Sequence, residues 1–563
     1  HMQIYVGIII FMLHMNVRLL FLLILTISCN EKYYEEYAVV SATKEATNAG
    51  IKILEQGGNA FDAMIAVDLA LAVTYPNAGN LGGGGFMVYI DSSGQSGSLD
   101  FREKAPKKSN SSMYLDENGE VIQGLSYEGA LSVGVPGTVA GLFEVYEKFG
   151  SISLDKIFEP AIYLAKNGHS LTKKQSKLYN DYKTKILELN DTSLFSKDFK
   201  EGDIFINDSL HNTLNKILKH GPDIFYKGEI SNKIVNYVQS KGGIISNDDM
   251  ISYSPVWRDP FTFNFNGYQI YTMGLPSSGG IVMAQILKSL ELMDQEKIIN
   301  DKIKYIKTLI ELEKLSFADR SYFLGDPDFI NTYFIDSILS KNYLIDRMEL
   351  IDFESSNPSK EINHGEVKII ESEETTHYSI HDKYGNSVAV TTTLNGNFGS
   401  KLIIPELGFF LNNEMDDFAI KPDHQNIYGM LGGKNNSIEP EKRMLSSMTP
   451  TIIKKNNEVF MILGSPGGPT IITSVLQTIL NVLYFDMSIK NSVKSPRFHH
   501  LWLPDIVYFE DGSFDKKMFE YFDKLKYKLS KRSQIGRVDA ILIEKNKIYT
   551  AADPRGDDYA SGK

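Results

Sequence analysis

The chain is short of several things, and each shortage closes off a class of protein. Cysteine occurs once, at Cys29, among 563 residues; a single thiol forms no internal disulfide and leaves no cysteine elsewhere to act as a nucleophile. Basic residues are outnumbered, with 58 Lys and Arg against 70 Asp and Glu and a formal charge of −12, which argues against a nucleic-acid partner held by phosphate contacts. No basic stripe interleaved with aromatics, internal repeat or low-complexity tract is visible. The apolar run Leu19–Ile27 holds nine residues, far below the ~20 needed to cross a bilayer. Histidine and cysteine also lack metal-ligand spacing: His499 and His500 are adjacent, project in different directions and read as structural, so no metal is expected.

What remains is ordinary globular material, 42% hydrophobic and 23% charged, long enough for three or four domains or one large α/β unit. The N-terminal stretch stands apart. Met15-Asn-Val-Arg18 precedes Leu19–Ile27 and then Ser28-Cys29-Asn30, the layout of a secretory signal over residues 1–28. Its end, Leu25-Thr-Ile-Ser-Cys29, resembles a bacterial lipoprotein cleavage box. That resemblance implies a lipid on Cys29 and an exported protein, periplasmic or anchored to a bacterial membrane; a plain signal peptide cut near Ser28 is the alternative.

Helical apolar spacing runs through Ser41–Glu55 and Asn59–Thr74, broken by Gly57-Gly58 and stopped before Pro76. Gly82–Gly85 leads into a predicted strand at Phe86–Ile90, with Ser98–Phe101 returning after a Ser/Gly turn. The glycine run precedes a strand and lacks the Lys-Ser/Thr and helix of a P-loop, so close backbone packing is expected rather than a phosphate cradle. From Leu154 to Ile370 Lys-rich helical stretches alternate with short strands such as Tyr268–Thr272. The polar segment Asn357–Glu374 is the best candidate for a flexible connection.

The stretch Glu374–Asn395 is the most informative. Thr376–His381 and Ser387–Leu394 are β-branched and aromatic, and Asp382-Lys-Tyr-Gly-Asn386 between them has turn composition: a hairpin. A three-residue loop at Lys383–Gly385, with Gly385 in the left-handed region, sets Thr375 opposite Thr393; a two-residue loop breaks that pairing. Taken alone, this is an ordinary cross-strand Thr pair.

Several further segments change that reading. TTHYS at Thr375–Ser379, NNEMDDF at Asn412–Phe418, RMLSSMTP at Arg443–Pro450 and GSPGG at Gly464–Gly468 resemble the γ-glutamyltransferase family. So do GGNAFDA at Gly57–Ala63, GNLGGGGF at Gly79–Phe86, DFREKAP at Asp100–Pro106, VPGTVAG at Val135–Gly141, PSSGG at Pro276–Gly280, ADRSYFLGDPDF at Ala318–Phe329, PRFHH at Pro496–His500 and ADPR at Ala552–Arg555. The resemblance runs in order from about Ala38 to the C-terminus. It implies a four-layer αββα sandwich of the N-terminal-nucleophile hydrolase type, where periodicity alone gives only mixed α/β.

It also implies a chemistry. A threonine hydroxyl needs a base within reach, and a chain-terminal Thr can use its own α-amino group, which titrates near ~7.7 to 8.0. In this family the precursor cuts itself before the first Thr of TTHYS, here the Glu374–Thr375 bond, giving a large subunit 29–374 and a small catalytic subunit 375–563. Thr375 is then nucleophile and base, and Thr393 orients it. Gly467 and Gly468 match the oxyanion positions, followed here by Pro469-Thr470 where familiar members have Ser-Arg. Arg102, Ser446 and Ser447 match positions that hold a substrate α-carboxylate, and Asn395, Glu414 and Asp417 those that hold its α-ammonium. Pro422–Gly433, with Tyr428, resembles a substrate lid. The expected partners are a γ-glutamyl donor such as glutathione and an amino-acid or water acceptor, with no cofactor. Two alternatives stay open: a lipid-anchored binder of γ-glutamyl compounds that never matures, and a related acylase or poly-γ-glutamate hydrolase.

Overall fold

Alternating strand residues divide between two apolar cores, and that division is what builds the layers. The structure, a computed structural model, describes residues 32–356, 358–362, 375–421 and 432–563. The strands of its two large sheets are, in chain order, β1 (Tyr33–Tyr34), β2 (Ala38–Ser41), β3 (Gly84–Ile90), β4 (Ser96–Asp100), β5 (Val256–Arg258), β6 (Phe261–Phe265), β7 (Tyr268–Thr272), β8 (Thr376–His381), β9 (Ser387–Thr393), β10 (Thr451–Lys455), β11 (Glu458–Gly464), β12 (Asp539–Glu544), β13 (Lys547–Ala551) and β14 (Tyr559–Gly562). One sheet has the order β14-β2-β8-β9-β3-β4-β5 and the other β1-β13-β12-β11-β10-β7-β6. In β3, Met87 and Tyr89 join the core under the first helices, while Phe86, Val88 and Ile90 join the core shared with the second sheet. This is the period of two expected for a strand covered on both faces.

Helices cover the outer faces. α1 (Lys44–Glu55) and α2 (Ala60–Thr74) lie on the first sheet; α3 (Gly279–Leu292), α4 (Lys302–Phe323) and α5 (Thr470–Phe485) lie on the side of the second. The result is the αββα sandwich that the family resemblance implied. α1 and α2 form over the two stretches whose spacing predicted them. Thr43 caps α1, and an Asn59–Asp62 capping box starts α2, the start signals that Ser, Thr, Asn and Asp supply. All fifteen residues of α2 are buried, as its nearly continuous apolar sequence requires.

The glycine run behaves as read from sequence. A Cβ on Gly82 would stand 2.3 Å from the Phe410 carbonyl oxygen, and one on Gly83 2.0 Å from that of Thr393. β3 begins at Gly84, two residues before the predicted start, and β4 spans Ser96–Asp100 rather than Ser98–Phe101, its ladder with β3 opening at the Ile90–Ser96 pair. Strands from before and after Thr375 share both sheets: β2 lies between β14 and β8 in one, and the run β13-β12-β11-β10 lies between β1 and β7 in the other. Of the connection predicted at Asn357–Glu374, only 358–362 are described, and they include the 3₁₀ turn Ser359–Glu361.

Candidate active site

The hairpin places the first functional pair. Its ladder pairs Thr376 with Thr392, His377 with Thr391 and His381 with Ser387, leaving the three-residue loop Lys383–Gly385 with Gly385 at φ 95°. That is the register that sets Thr375 against Thr393, and the two-residue loop is excluded. Odd-numbered residues of β8 point between the sheets. There, His377 Nδ1 is 2.9 Å from Thr391 Oγ1 and its Nε2 is 3.1 Å from Ser379 Oγ. Burial pulls the His377 imidazole down to about 3, so it is neutral at working pH. Across the gap the ring lies against Gly464, where a Cβ would sit 2.4 Å from it. The glycine that opens GSPGG is therefore demanded by packing.

Thr375, 4% exposed, and Thr393 line one pocket together with Arg102, Asn395, Glu414, Asp417, Ser446, Ser447 and Gly468. Thr393 Oγ1 accepts the Asn395 N–H at 2.7 Å, which turns the chain at the strand end into the left-handed region, with Asn395 at φ 72°. Asparagine tolerates that conformation well. Asn80 Nδ2 donates to the Thr393 carbonyl at 2.8 Å, while its Oδ1 accepts from Gly83 N–H and Thr138 Oγ1.

Arg102 is 1% exposed and follows β4. Its guanidinium pairs with Glu414 directly and with Asp417 at 2.5 Å, and Glu103 stands 3.7 Å away. The sequence reading set the cation and these carboxylates on opposite sides of a substrate; in the structure they touch. One guanidinium faces three carboxyls, an excess of acid. Burial lowers the Arg102 pKa, but Glu414, Asp417 and Glu103 outweigh it and the net shift is upward. Burial pushes Glu414 well above the carboxylate range and Glu103 up to about 7, with Arg102 pulling both back only in part. Asn412 fixes the Glu414 turn: its Oδ1 accepts from the N–H groups of Gly134 and Glu414, and its Nδ2 donates to the Gly82 and Gly134 carbonyls.

The opposite wall is built from two loops. Ser446 N–H donates to the Pro276 carbonyl, and Ser446 Oγ accepts from Met448 N–H at 3.1 Å. Gly467 and Gly468 lie at φ 126° and 52°, conformations that favour glycine, just ahead of α5. Among the described residues no hydrogen bond uses either amide as a donor. Gly468 lines the pocket and Gly467 does not; the Gly467 carbonyl accepts from Thr470 Oγ1 at 2.7 Å. Thr470 thus ties down the glycine loop at the position where the sequence departs from the family pattern.

Three expected residues, Cys29, Glu374 and Tyr428, lie outside the described residues. His499 and His500 are buried in hydrogen bonds, to Thr473 Oγ1 at 3.0 Å and Asp505 at 3.2 Å. Sequence reasoning missed Met448 and Ile471, which also line the pocket, and the buried Arg320 behind it. Arg320 donates to Ser278 Oγ at 2.9 Å and to Ser447 Oγ at 3.4 Å. Its signal was an arginine inside ADRSYFLGDPDF, a segment otherwise read only as part of the resemblance.

Comparison with known proteins agrees with this geometry. Residues 46–563 match the family model described as Gamma-glutamyltranspeptidase. The glutathione hydrolase proenzyme of Escherichia coli (strain K12) is 40% identical over 531 residues, 93% of this chain and 91% of that protein. The glutathione hydrolase proenzyme of Pseudomonas aeruginosa is 39% identical over 528 residues, 92% of this chain and 93% of that one. Among solved structures, Helicobacter pylori gamma-glutamyltranspeptidase is 37% identical with a TM-score of 0.55, covering 57% of this chain and 94% of its own. Cephalosporin acylase from Bacillus halodurans has a TM-score of 0.83 at 21% identity, over 95% and 97% of the two chains, a likeness of fold. The chain belongs to the γ-glutamyltranspeptidase family.

Proposed function

We propose that this chain is the precursor of a γ-glutamyltransferase and glutathione hydrolase that cleaves its own Glu374–Thr375 bond. Hydrolysis of that bond leaves a carboxylate on Glu374 and an α-amine on Thr375. The amine accepts the Thr375 hydroxyl proton as Oγ attacks the carbonyl carbon of a γ-glutamyl amide. The resulting oxyanion is held by the amides of Gly467 and Gly468, each such donor contributing roughly 10²- to 10³-fold in rate. Collapse passes the proton to the leaving amine, cysteinylglycine when the donor is glutathione, and leaves a γ-glutamyl ester on Thr375. Water or the amine of an amino acid then attacks the ester, regenerating the hydroxyl and releasing glutamate or a new γ-glutamyl amide.

The observation that carries this reading is the shared pocket: a buried Thr375–Thr393 pair beside one guanidinium and an excess of carboxyls. A γ-glutamyl group brings both charges. Its α-ammonium suits Glu414, Asp417 and Asn395, and its α-carboxylate suits the fork of Arg102 and the hydroxyls of Ser446 and Ser447. Residues 29–374 and 375–563 would remain together without a covalent link, because strands of one are hydrogen-bonded to strands of the other in both sheets. Export, a lipid on Cys29, and a lid over the substrate from the segment with Tyr428 complete the proposal. The test is acid quenching during glutathione turnover followed by intact mass measurement. A fragment beginning at Thr375 and heavier by one γ-glutamyl group is expected; ready turnover with no such adduct under any quench time counts against the ester.

A further inference from the structure

Among the described residues the arginines that are buried are Arg102, Arg320, Arg443 and Arg497. Three of them touch a carboxylate: Arg102 meets Glu414 and Asp417, Arg443 Nε lies 3.2 Å from Asp100, and Arg497 Nη2 lies 2.9 Å from Asp553. Arg320 does not. It stands 3% exposed near the end of α4 and forms no ion pair among the described residues; its bonds go to neutral hydroxyls, Ser278 Oγ at 2.9 Å and Ser447 Oγ at 3.4 Å. Burial pulls its pKa down to about 10, with Asp417 pulling back from beyond contact distance, so the guanidinium stays charged at neutral pH. A buried cation without a counterion is costly.

Both of its bonds lead to the wall of the catalytic pocket. Ser278 Oγ accepts from Arg320 and donates to the Ser446 carbonyl at 2.7 Å, and the Ser278 N–H donates to the same carbonyl at 2.8 Å. Ser446 and Ser447, which line the pocket, are thus gripped from behind by one guanidinium. On the facing wall the charge of Arg102 is already shared by Glu414 and Asp417. A carboxylate entering the pocket therefore gains little net attraction there, whereas on the serine wall a cation one hydroxyl away acts through a dry, low-dielectric layer.

We propose that Arg320 is a positioning residue for the donor substrate: it fixes Ser446 and Ser447 and supplies the positive charge that selects amides bearing an α-carboxylate. This rests on the γ-glutamyl reading above and adds the source of its selectivity. The ligand carboxylate is the counterion that the buried guanidinium lacks.

Kinetics of the matured enzyme with γ-glutamyl-p-nitroanilide and with γ-aminobutyryl-p-nitroanilide, which lacks only the α-carboxylate, test this. Arg320→Gln should lower kcat/KM for the γ-glutamyl donor by about 10- to 100-fold and leave the γ-aminobutyryl donor within about twofold. Arg320→Lys, which keeps the charge, should preserve the ratio between the two donors to within about threefold. Equal losses on both donors, as a merely structural role would give, overturn the proposal. Should the Gln variant fail to mature, or the shorter donor turn over too slowly to read, a crystal structure of the wild-type enzyme with L-glutamate decides. The α-carboxylate is expected on Ser446 and Ser447 with an Arg320 nitrogen within about 6 Å, two hydrogen bonds in series; a carboxylate bound farther away overturns the proposal. A wild type without γ-glutamyl turnover would remove the reading on which this rests, whereas equal losses in an active enzyme remove the role of Arg320 alone.

Discussion

The two large sheets face each other across one core, yet they are made of different material. The central strands of one, β10 and β11, present Ile452, Ile453, Met461, Ile462 and Leu463, all buried. The central hairpin of the other, β8 and β9, is just as buried but carries Thr376, His377, Ser379, Thr391, Thr392 and Thr393. Apolar strands gain stability from burial directly, about 25 cal/mol per Å². Polar strands are costly unless their groups find partners, as His377 does with Thr391 and Ser379. One sheet thus supplies cohesion, and the other holds the hydroxyl proposed as nucleophile in a fixed register against its neighbours.

Substitutions can break this division of labour. The largest effect belongs to Thr375→Ala, which should block cleavage and lower glutathione turnover by at least about 10⁴-fold, as removal of other nucleophiles does. Thermal unfolding should barely change. Next, Arg102→Lys loses the fork between Glu414 and Asp417; steady-state kinetics should show kcat/KM down by about 10²- to 10³-fold, chiefly through KM. Ile462→Ala in the cohesive sheet should do the reverse. It should lose about 2 to 5 kcal/mol in denaturant unfolding, while the protein that stays folded keeps its kcat within about twofold.

Asp68 sharpens the comparison through pH. It lies in α2 behind the hairpin, accepts from Tyr378 Oη at 2.8 Å, and is pushed up to about 7 by burial, with that bond pulling the other way. A carboxyl that binds its proton more tightly when folded stabilises below its unfolded value and loses that contribution as pH rises towards about 7. Asp68→Asn keeps an acceptor for Tyr378 without the titration. Relative to the parent, it should gain roughly 1 to 3 kcal/mol between about pH 4 and 8, read from urea midpoints at each pH. The smallest effect is at the loop. Gly385→Ala would meet only Ser92 Cα, at an ordinary contact distance of 3.9 Å, but sits at φ 95°, so a loss of about 1 kcal/mol is expected, with no change in register.

Legibility followed the range of the interaction. The hairpin, its register and its glycine were readable because turn chemistry and period-two patterning act over a few residues. Helices α1 and α2 were readable for the same reason. The pocket as an assembly came from motif resemblance, since no local rule brings Arg102, Thr393 and Ser447 together. The contact between Arg102 and the Glu414 turn was not legible, because Asn412 builds it by joining three distant loops. Arg320 stayed hidden likewise: its partners Ser278 and Ser447 lie 42 and 127 residues away along the chain.

The central claim is that a newly exposed α-amine activates the hydroxyl of the same residue. Intact mass and N-terminal determination on active enzyme test it most directly. The account predicts two chains, the smaller starting at Thr375, and a single uncut, inactive chain for Thr375→Ala. Full activity from an uncut wild-type chain would contradict it.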